Sequence, residues 1–279
     1  MELDNYTTSM EGKAKNTVRT YVSNYKRLRS HFEKDLSDVP NVELIQYISE
    51  QDSSNTKNGF ITVAIQVKRL NGRDVIDLTD YRETLKVALV AEVKKKNAAL
   101  QEILPEYSDL VEYTERLFDT GDYINYVINF LLLNYNVRNL DLDFKITTKL
   151  NEATDDKTNY VVILPNKIMY IRNRYKTAET YGPKTHKITD ENFTFAIKKI
   201  YQMMKKADHE EYVNPIVPNP NTISYRISSA TYKSLGEGAY VKICINHFRK
   251  DLEALQRISE NRGTSLSTLL MEYNIQLIE

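Results

Sequence analysis

The chain has 279 residues, 41% of them hydrophobic and 27% charged, which is typical of a folded globular protein of one or two domains. Its 38 basic and 38 acidic residues cancel, so composition alone does not indicate a nucleic-acid binder, and no apolar run reaches the roughly 18 residues of a membrane span. The single cysteine, Cys244, excludes an intramolecular disulfide, and the four histidines lack metal-ligand spacing. We therefore expect an intracellular protein of a reducing compartment that uses neither a metal nor another cofactor.

Helical periodicity runs through the first part of the chain. Over 16–32 the apolar side chains recur at three- and four-residue spacing, at Val18, Tyr21, Val22, Tyr25, Leu28 and Phe32. Further helices are predicted over 42–49, from a cap at 53–56 to residue 70, and over 79–104, with breaks at Pro40-Asn41, Asn71-Gly72 and Pro105. Four helices with short polar connections predict a small bundle over residues 1–104.

The second part of the chain mixes two periodicities. Apolar helices are predicted over 107–118 and 123–135, and the runs FKITTKL, NYVVILP and IMYIRNRYKT then alternate in the manner of three strands. Helical spacing returns over 189–206 and, after a proline-rich connector at 214–221, continues to the end. The expected fold class is α+β, mainly helical, with a small antiparallel sheet inside the segment 105–279.

Basic residues are segregated even though the net charge is zero. Arg19, Lys26 and Arg29 share one stripe of the first long helix, opposite its apolar stripe, and acidic residues cluster elsewhere in the chain. A positive face of this kind is what binding to phosphates requires. The sequence therefore predicts a DNA-binding face on this helix, and a second basic group, formed by Lys68, Arg69 and Arg73, is the alternative.

Four separated residues in the second part carry side chains suited to attack on a phosphodiester. Arg138 follows a predicted buried helix, Lys176 lies in a predicted hairpin, Arg249 lies in a helix, and Tyr273 lies near the C-terminus. Guanidinium groups bind phosphate oxygens through paired N–H donors. An ammonium can protonate a departing alkoxide, and an oriented tyrosine hydroxyl can attack phosphorus.

Short motifs around these residues resemble the tyrosine recombinase family, also called the phage integrase family. Asp141 follows Arg138 at the three-residue spacing of the family's first box. The run Asn261–Thr268 (NRGTSLST) is similar to the family's Gly-His-Ser box, and Tyr273 follows Thr264 at the spacing of the family's nucleophile. The phrase NTVRTY at 16–21 is similar to the start of the family's core-binding domain. The resemblance spans roughly residues 13–275.

The chain departs from the family pattern at three points. Asn246 stands where the family's His-x-x-Arg or Lys-x-x-Arg box, ending here at Arg249, has a residue that can exchange protons. Thr264 stands where His or Trp is usual, and the segment from Arg249 to Thr264 is shorter than is typical. Lys176 matches the family's hairpin lysine, but two further lysines, Lys184 and Lys187, lie in the same predicted hairpin.

The resemblance implies a site-specific recombinase or integrase that cuts and rejoins double-stranded DNA through a 3′-phosphotyrosyl intermediate. Residues 1–104 would form a helical DNA-binding domain and 105–279 the catalytic domain, assembled as a tetramer on paired DNA sites. The implied roles are a nucleophile at Tyr273, phosphate clamps at Arg138 and Arg249 aided by Asn246 and Thr264, a general acid at Lys176 and an orienting carboxylate at Asp141. Two alternatives are a catalytically impaired DNA-binding protein of the same fold and a type IB topoisomerase.

Overall fold

The protein forms two compact units, Met1–Ala98 and Ala99–Glu279. The computed structural model describes residues 3–13, 15–101, 103–206, 214 and 216–273. The fold is mainly helical with one small sheet, so the predicted α+β class is confirmed. Whether residues 1–104 and 105–279 separate as folded fragments stays a prediction.

The first unit is a bundle of helices. They are α1 (Leu3–Thr8), α2 (Lys15–Phe32), α3 (Asn41–Ser49), α4 (Ser54–Leu70) and α5 (Ile76–Gln101), the last of which continues a little past the unit boundary. The apolar stripe of α2 turns inward, with Tyr25 and Leu28 buried, and α4 supplies Phe60, Ile61 and Val63 to the same core. The amphipathic pattern read from the sequence therefore orients α2 as expected.

The second unit surrounds a small sheet with helices. The helices are α6 (Tyr107–Asp119), α7 (Tyr123–Tyr135), α8 (Ala178–Tyr181), α9 (Glu191–Lys206), α10 (Ile223–Ala230), α11 (Glu237–His247), α12 (Leu252–Arg262) and α13 (Leu266–Tyr273). The strands are β1 (Phe144–Thr147), β2 (Asn159–Leu164), β3 (Lys167–Arg172) and β4 (Lys184–Ile188). Helix α7 is central to the core, because Val127, Ile128, Leu131 and Leu132 on it are all fully buried.

The sheet differs from the prediction in strand number and direction. Its order is β1-β2-β3-β4, and β1 runs parallel to β2, whereas the other two pairs are antiparallel. The predicted antiparallel three-strand sheet is therefore wrong in these respects. A parallel β1–β2 pair needs a long connection, and residues 148–158 supply it. The additional strand, β4, is an edge strand whose polar sequence KTHKI hides its alternation.

Candidate functional site

The end of α7 places Arg138 at the start of the candidate site. Asn136 ends α7 in the left-handed conformation (φ 47°), and Arg138 follows in an extended conformation before a short 3-10 turn, Asn139–Leu142. Asp141 caps that turn, because its Oδ2 accepts the backbone N–H of Arg138 at 2.8 Å. The three-residue spacing of Arg138 and Asp141 is therefore the spacing of a local cap as well as of the family's first box.

A buried ion pair anchors this turn to the sheet. The Asp141 carboxylate accepts a hydrogen bond from the guanidinium of Arg172, at the end of β3, and both side chains are fully buried. Burial raises the pKa of the Asp141 carboxyl, and the charge of Arg172 opposes that rise. The Asp141 carboxylate thus accepts hydrogen bonds from the backbone N–H of Arg138 and from the guanidinium of Arg172.

The turn between α12 and α13 is the point on which the site converges. Helix α12 ends at Gly263 in the left-handed conformation (φ 58°). The Arg138 guanidinium donates to the carbonyl of Arg262, and Arg172 donates to the carbonyl of Asn261 at 2.7 Å. Three polypeptide segments, from α7, β3 and α12, therefore meet at the end of α12, and we call residues 260–263 the convergence turn.

The connection between β3 and β4 packs against the convergence turn. The Thr177 hydroxyl donates to the Gly263 carbonyl at 2.7 Å, and the Lys184 ammonium donates to the Glu260 carbonyl. A Cβ placed on Gly263 would lie 2.6 Å from the Thr177 Oγ1 and 2.8 Å from a ring carbon of Tyr175. Glycine is thus required here for the close approach as well as for the backbone conformation.

The hairpin lysines differ in their surroundings. Lys184 is half-buried over the ring of Tyr175, with 5.3 Å from its Nζ to the ring centroid, and burial together with the charges of Arg172 and Arg138 lowers its pKa. Lys176 is exposed, and its ammonium makes no hydrogen bond or ion pair with the residues that the structure describes. Of the three lysines considered from the sequence, Lys184 is the one that contacts the convergence turn, while Lys187 is exposed on β4.

Arg262 and Glu237 complete the cluster, and neither was identified from the sequence. Arg262 donates to the carbonyl of Asn136 at 3.1 Å and to the Glu237 carboxylate at 3.0 Å. The second oxygen of that carboxylate accepts the backbone N–H of Asn139. The sequence signal for Arg262 was its place in the run NRGTS, whereas Arg172 and Glu237 carried no motif that would have marked them.

Arg249 and Asn246 lie at the other end of α11 from Glu237. The ten residue-to-residue steps from Glu237 to His247 correspond to about 15 Å along the helix axis. Arg249 lies in the turn after α11, is exposed, and lines a cavity of about 510 Å³ together with Asn246, Tyr107 and other residues. Glu237, at the start of α11, contacts the Arg138 segment through the backbone N–H of Asn139, so Arg249 lies at the end of α11 away from that contact.

The C-terminal box is described only in part. Thr264 follows the convergence turn, and its carbonyl accepts the Ser259 hydroxyl at 2.7 Å. Tyr273 is the last residue of α13, and its side chain lies outside the described part of the chain. Another tyrosine of the second unit, Tyr240, is fully buried, and its hydroxyl donates to the side-chain oxygen of Asn129. Burial also raises the pKa of Tyr240, so its phenol is poorly placed to attack DNA.

The basic residues of the first unit divide into exposed and buried ones. Arg19, Lys26 and Arg29 are exposed on α2, as a DNA-binding face requires. Lys68 is buried, and its ammonium donates to the carbonyls of Ser37 at 3.0 Å and Val39 at 2.5 Å. The predicted DNA contact of Lys68 is therefore wrong, because its charge is used inside the unit.

The other two members of the alternative basic group are on the surface. Arg73 pairs with Asp38 at 2.8 Å, and Arg69 is exposed.

Among the described residues, no group of His, Cys, Asp and Glu side chains is arranged to hold a metal, and no helix is long and apolar enough to cross a membrane.

Comparisons with known proteins find a distant likeness to a solved structure. No family model matches the chain, and no curated protein does. A solved structure described as the crystal structure of XerA recombinase is similar over 98% of this chain and 93% of that chain, with 15% sequence identity and a TM-score of 0.39.

Proposed function

We propose that this protein is a DNA strand transferase of the tyrosine recombinase type, with Tyr273 as its nucleophile. The observation that carries the proposal is the convergence of Arg138 and Lys184 on the turn that leads, through Thr264 and Ser265, into α13, the helix that ends at Tyr273. A guanidinium and an ammonium beside one turn form a local positive field suited to a phosphodiester. The sequence motifs supply the order Arg, Lys, Arg, Tyr that the family resemblance requires.

The proposed reaction exchanges one phosphodiester bond for another and so conserves the energy of that bond. The Tyr273 oxygen attacks phosphorus and loses its proton to solvent, the bond from phosphorus to the 5′ oxygen breaks, and that oxygen takes a proton from the general acid. The products are a 3′-phosphotyrosyl link and a free 5′ hydroxyl. In the reverse step a 5′ hydroxyl attacks the link and releases the tyrosine, so the reaction consumes no nucleotide cofactor.

The general acid in this proposal is one of the hairpin lysines, and the surroundings favour Lys184 over Lys176. Burial and neighbouring positive charges lower the pKa of Lys184, which brings the ammonium closer to the pKa of an effective proton donor at neutral pH. Lys176 is exposed and eight positions earlier, and its role in the proposal depends on a contact made only with DNA bound.

A covalent trapping assay tests the proposal. Wild-type protein incubated with nicked duplexes of randomised sequence should give a protein–DNA species that resists SDS. The nick makes the fragment that carries the free 5′ hydroxyl short, so this fragment diffuses away and cannot reverse the reaction. Tyr273→Phe should abolish this species while DNA binding is retained, and Arg138→Ala should reduce its rate of formation. Wild-type protein that binds these duplexes but forms no adduct would contradict the proposal.

A substrate with a different leaving group tests which of the two lysines, Lys184 or Lys176, is the general acid. A 5′-bridging phosphorothiolate releases a thiolate, which needs no proton from a general acid. If Lys184 is the acid, Lys184→Met should be slow on the ordinary phosphodiester and close to wild type on the sulfur substrate, and Lys176→Met should be near wild type on both. The reverse pattern would assign the role to Lys176.

The proposed partner is double-stranded DNA bound by the exposed stripe of α2, and the proposed working assembly is a tetramer on paired sites. Support for the DNA face comes from the exposure of Arg19, Lys26 and Arg29 on a helix that buries Tyr25 and Leu28. The tetramer follows from the family resemblance alone. Light scattering with and without paired duplexes would measure the assembly directly.

A second candidate function is a DNA-binding protein that has lost the chemistry. It is favoured by the position of Arg249 at the far end of α11 from the Arg138 cluster, by Asn246 in place of a proton-exchanging residue, and by Thr264 in place of His or Trp. Arg249→Ala distinguishes the two candidates in the trapping assay. A large loss of rate means that Arg249 joins the site on DNA, and an absence of adduct in the wild type favours the second candidate.

A further inference from the structure

Four residues that do not include the proposed nucleophile close a ring of hydrogen bonds around the backbone of Arg138. The carbonyl of Asn136, on one side of Arg138, accepts from Arg262 at 3.1 Å. The backbone N–H of Asn139, on the other side, donates to Glu237. Glu237 and Arg262 pair with each other at 3.0 Å, and the Arg138 guanidinium donates to the carbonyl of Arg262. Both peptide flanks of Arg138 are thus held by one ion pair.

The ion pair lies where its geometry is well defined. The Arg262 side chain is 5% exposed and that of Glu237 is 21% exposed, so water competes weakly for their hydrogen bonds. Each oxygen of the Glu237 carboxylate has a different described partner, one the guanidinium of Arg262 and the other the Asn139 N–H. A single carboxylate therefore ties the N-terminus of α11 to both the Arg138 segment and the end of α12.

We infer that Glu237 is a positioning residue for the proposed strand transfer, which acts through Arg138 and Arg262 without touching DNA. This inference rests on the proposed function. Arg138 lies in an extended segment between a left-handed Asn136 and a 3-10 turn, so its direction depends on what holds those two flanks. A displacement of about 1 Å in a transition-state clamp can reduce a rate by about 100-fold. The carboxylate of Glu237 limits that displacement.

The test uses Glu237→Gln and a matched control in single-turnover trapping on nicked duplexes of randomised sequence. Glutamine keeps the shape and one oxygen acceptor but removes the charge that holds Arg262. The control is Glu253→Gln on the exposed first turn of α12, where the carboxylate makes no hydrogen bond or ion pair among the described residues. We expect the rate constant of Glu237→Gln to fall roughly 10- to 100-fold. The DNA dissociation constant should stay within about twofold, and the control should match the wild type.

Two additional measurements separate positioning from loss of folded protein. A purely structural defect lowers the amplitude of the single turnover and leaves the rate constant of the reacting fraction unchanged. Because Glu237 acts through Arg138, Glu237→Gln should cost less than about twofold when added to Arg138→Lys, a non-additive pair. The defect should also persist on the 5′-bridging phosphorothiolate, since Glu237 does not protonate the leaving group.

The outcomes distinguish failure of this inference from failure of the proposed function. A wild type that forms no adduct overturns both. A wild type that forms the adduct, with Glu237→Gln reacting as fast as Glu253→Gln, overturns the inference alone. The inference is also overturned if the Glu237→Gln and Arg138→Lys effects multiply, or if only the amplitude falls.

Discussion

Replacing Gly263 with alanine tests whether the convergence turn needs both a left-handed backbone and a close approach of the β3–β4 connection. The φ of Gly263 is +58°, and an added Cβ would lie 2.6 Å from the Thr177 Oγ1 and 2.8 Å from a Tyr175 ring carbon. Neither distance is tolerated by real Cβ contacts, so the Thr177 and Tyr175 side chains would have to move. That movement would break the hydrogen bond from Thr177 to the Gly263 carbonyl.

The expected cost has two parts. A left-handed backbone costs an L-residue about 1–2 kcal/mol, and overpacking of a tight contact costs about 1–3 kcal/mol. Gly121→Ala isolates the first part, because Gly121 has φ +76° and an added Cβ there would meet only ordinary contacts at 3.9 Å or more. The entropic gain of alanine in the unfolded chain is common to both variants. Gly263→Ala should therefore lose about 1–3 kcal/mol more than Gly121→Ala.

Urea denaturation of the full chain measures this difference, and thermal unfolding checks it. In a unit of this size each kcal/mol corresponds to about 2–4 °C in Tm. Gly263→Ala should also slow adduct formation by more than Gly121→Ala, because the turn precedes α13. Equal stability of the two alanine variants would refute the close approach of Thr177 and Tyr175 to Gly263.

Three further predictions concern single regions. Changing Arg19, Lys26 and Arg29 together to alanine should weaken binding to all duplex sequences and flatten the salt dependence by up to about three phosphate contacts, with an unchanged slope as the contradictory result. Lys68→Met should lower the urea midpoint by an amount corresponding to about 2 kcal/mol, because the carbonyls in the 37–39 loop lose their donor; a neutral effect would contradict the buried role. Burial and the nearby positive charges lower the pKa of His186 to about 4. Because the unfolded chain binds this proton more readily, His186 lowers the free energy of unfolding as pH falls from about 6.5 toward 4, by at most about 3 kcal/mol before solvent screening. His186→Phe should remove that slope in urea titrations at pH 7 and 4.5, and an identical slope in both proteins would contradict it.

The parts of the fold that depend on local pattern could be predicted. The apolar stripe of α2 predicted which face of that helix is buried, and the helix breaks at Pro40-Asn41 and Asn71-Gly72 were recognised from their proline and glycine. Strand β4 was missed because a solvent-exposed edge strand carries polar residues on both faces. The parallel pairing of β1 with β2 depends on where the chain returns after a long connection, which no local pattern encodes.

The candidate site was predictable only where a motif marks the residue. Arg138, Asp141 and the NRGTS run were found from spacing, but Arg172 was not, because its burial depends on Asp141, distant in the sequence. Lys68 was misjudged for a related reason. The adjacent residues Lys68 and Arg69 indicate a surface patch, whereas the Lys68 ammonium in fact donates hydrogen bonds to backbone carbonyls of the 37–39 loop.

The central claim is that the Tyr273 oxygen becomes bonded to a DNA 3′ phosphate. Trapped adduct from wild-type protein on nicked duplexes can be digested with protease and nuclease, and the peptide that carries the nucleotide can be identified by mass spectrometry. The account predicts one modified peptide, with the nucleotide 3′ phosphate on Tyr273. A modification on another tyrosine such as Tyr232, or DNA binding without any modified peptide, would contradict it.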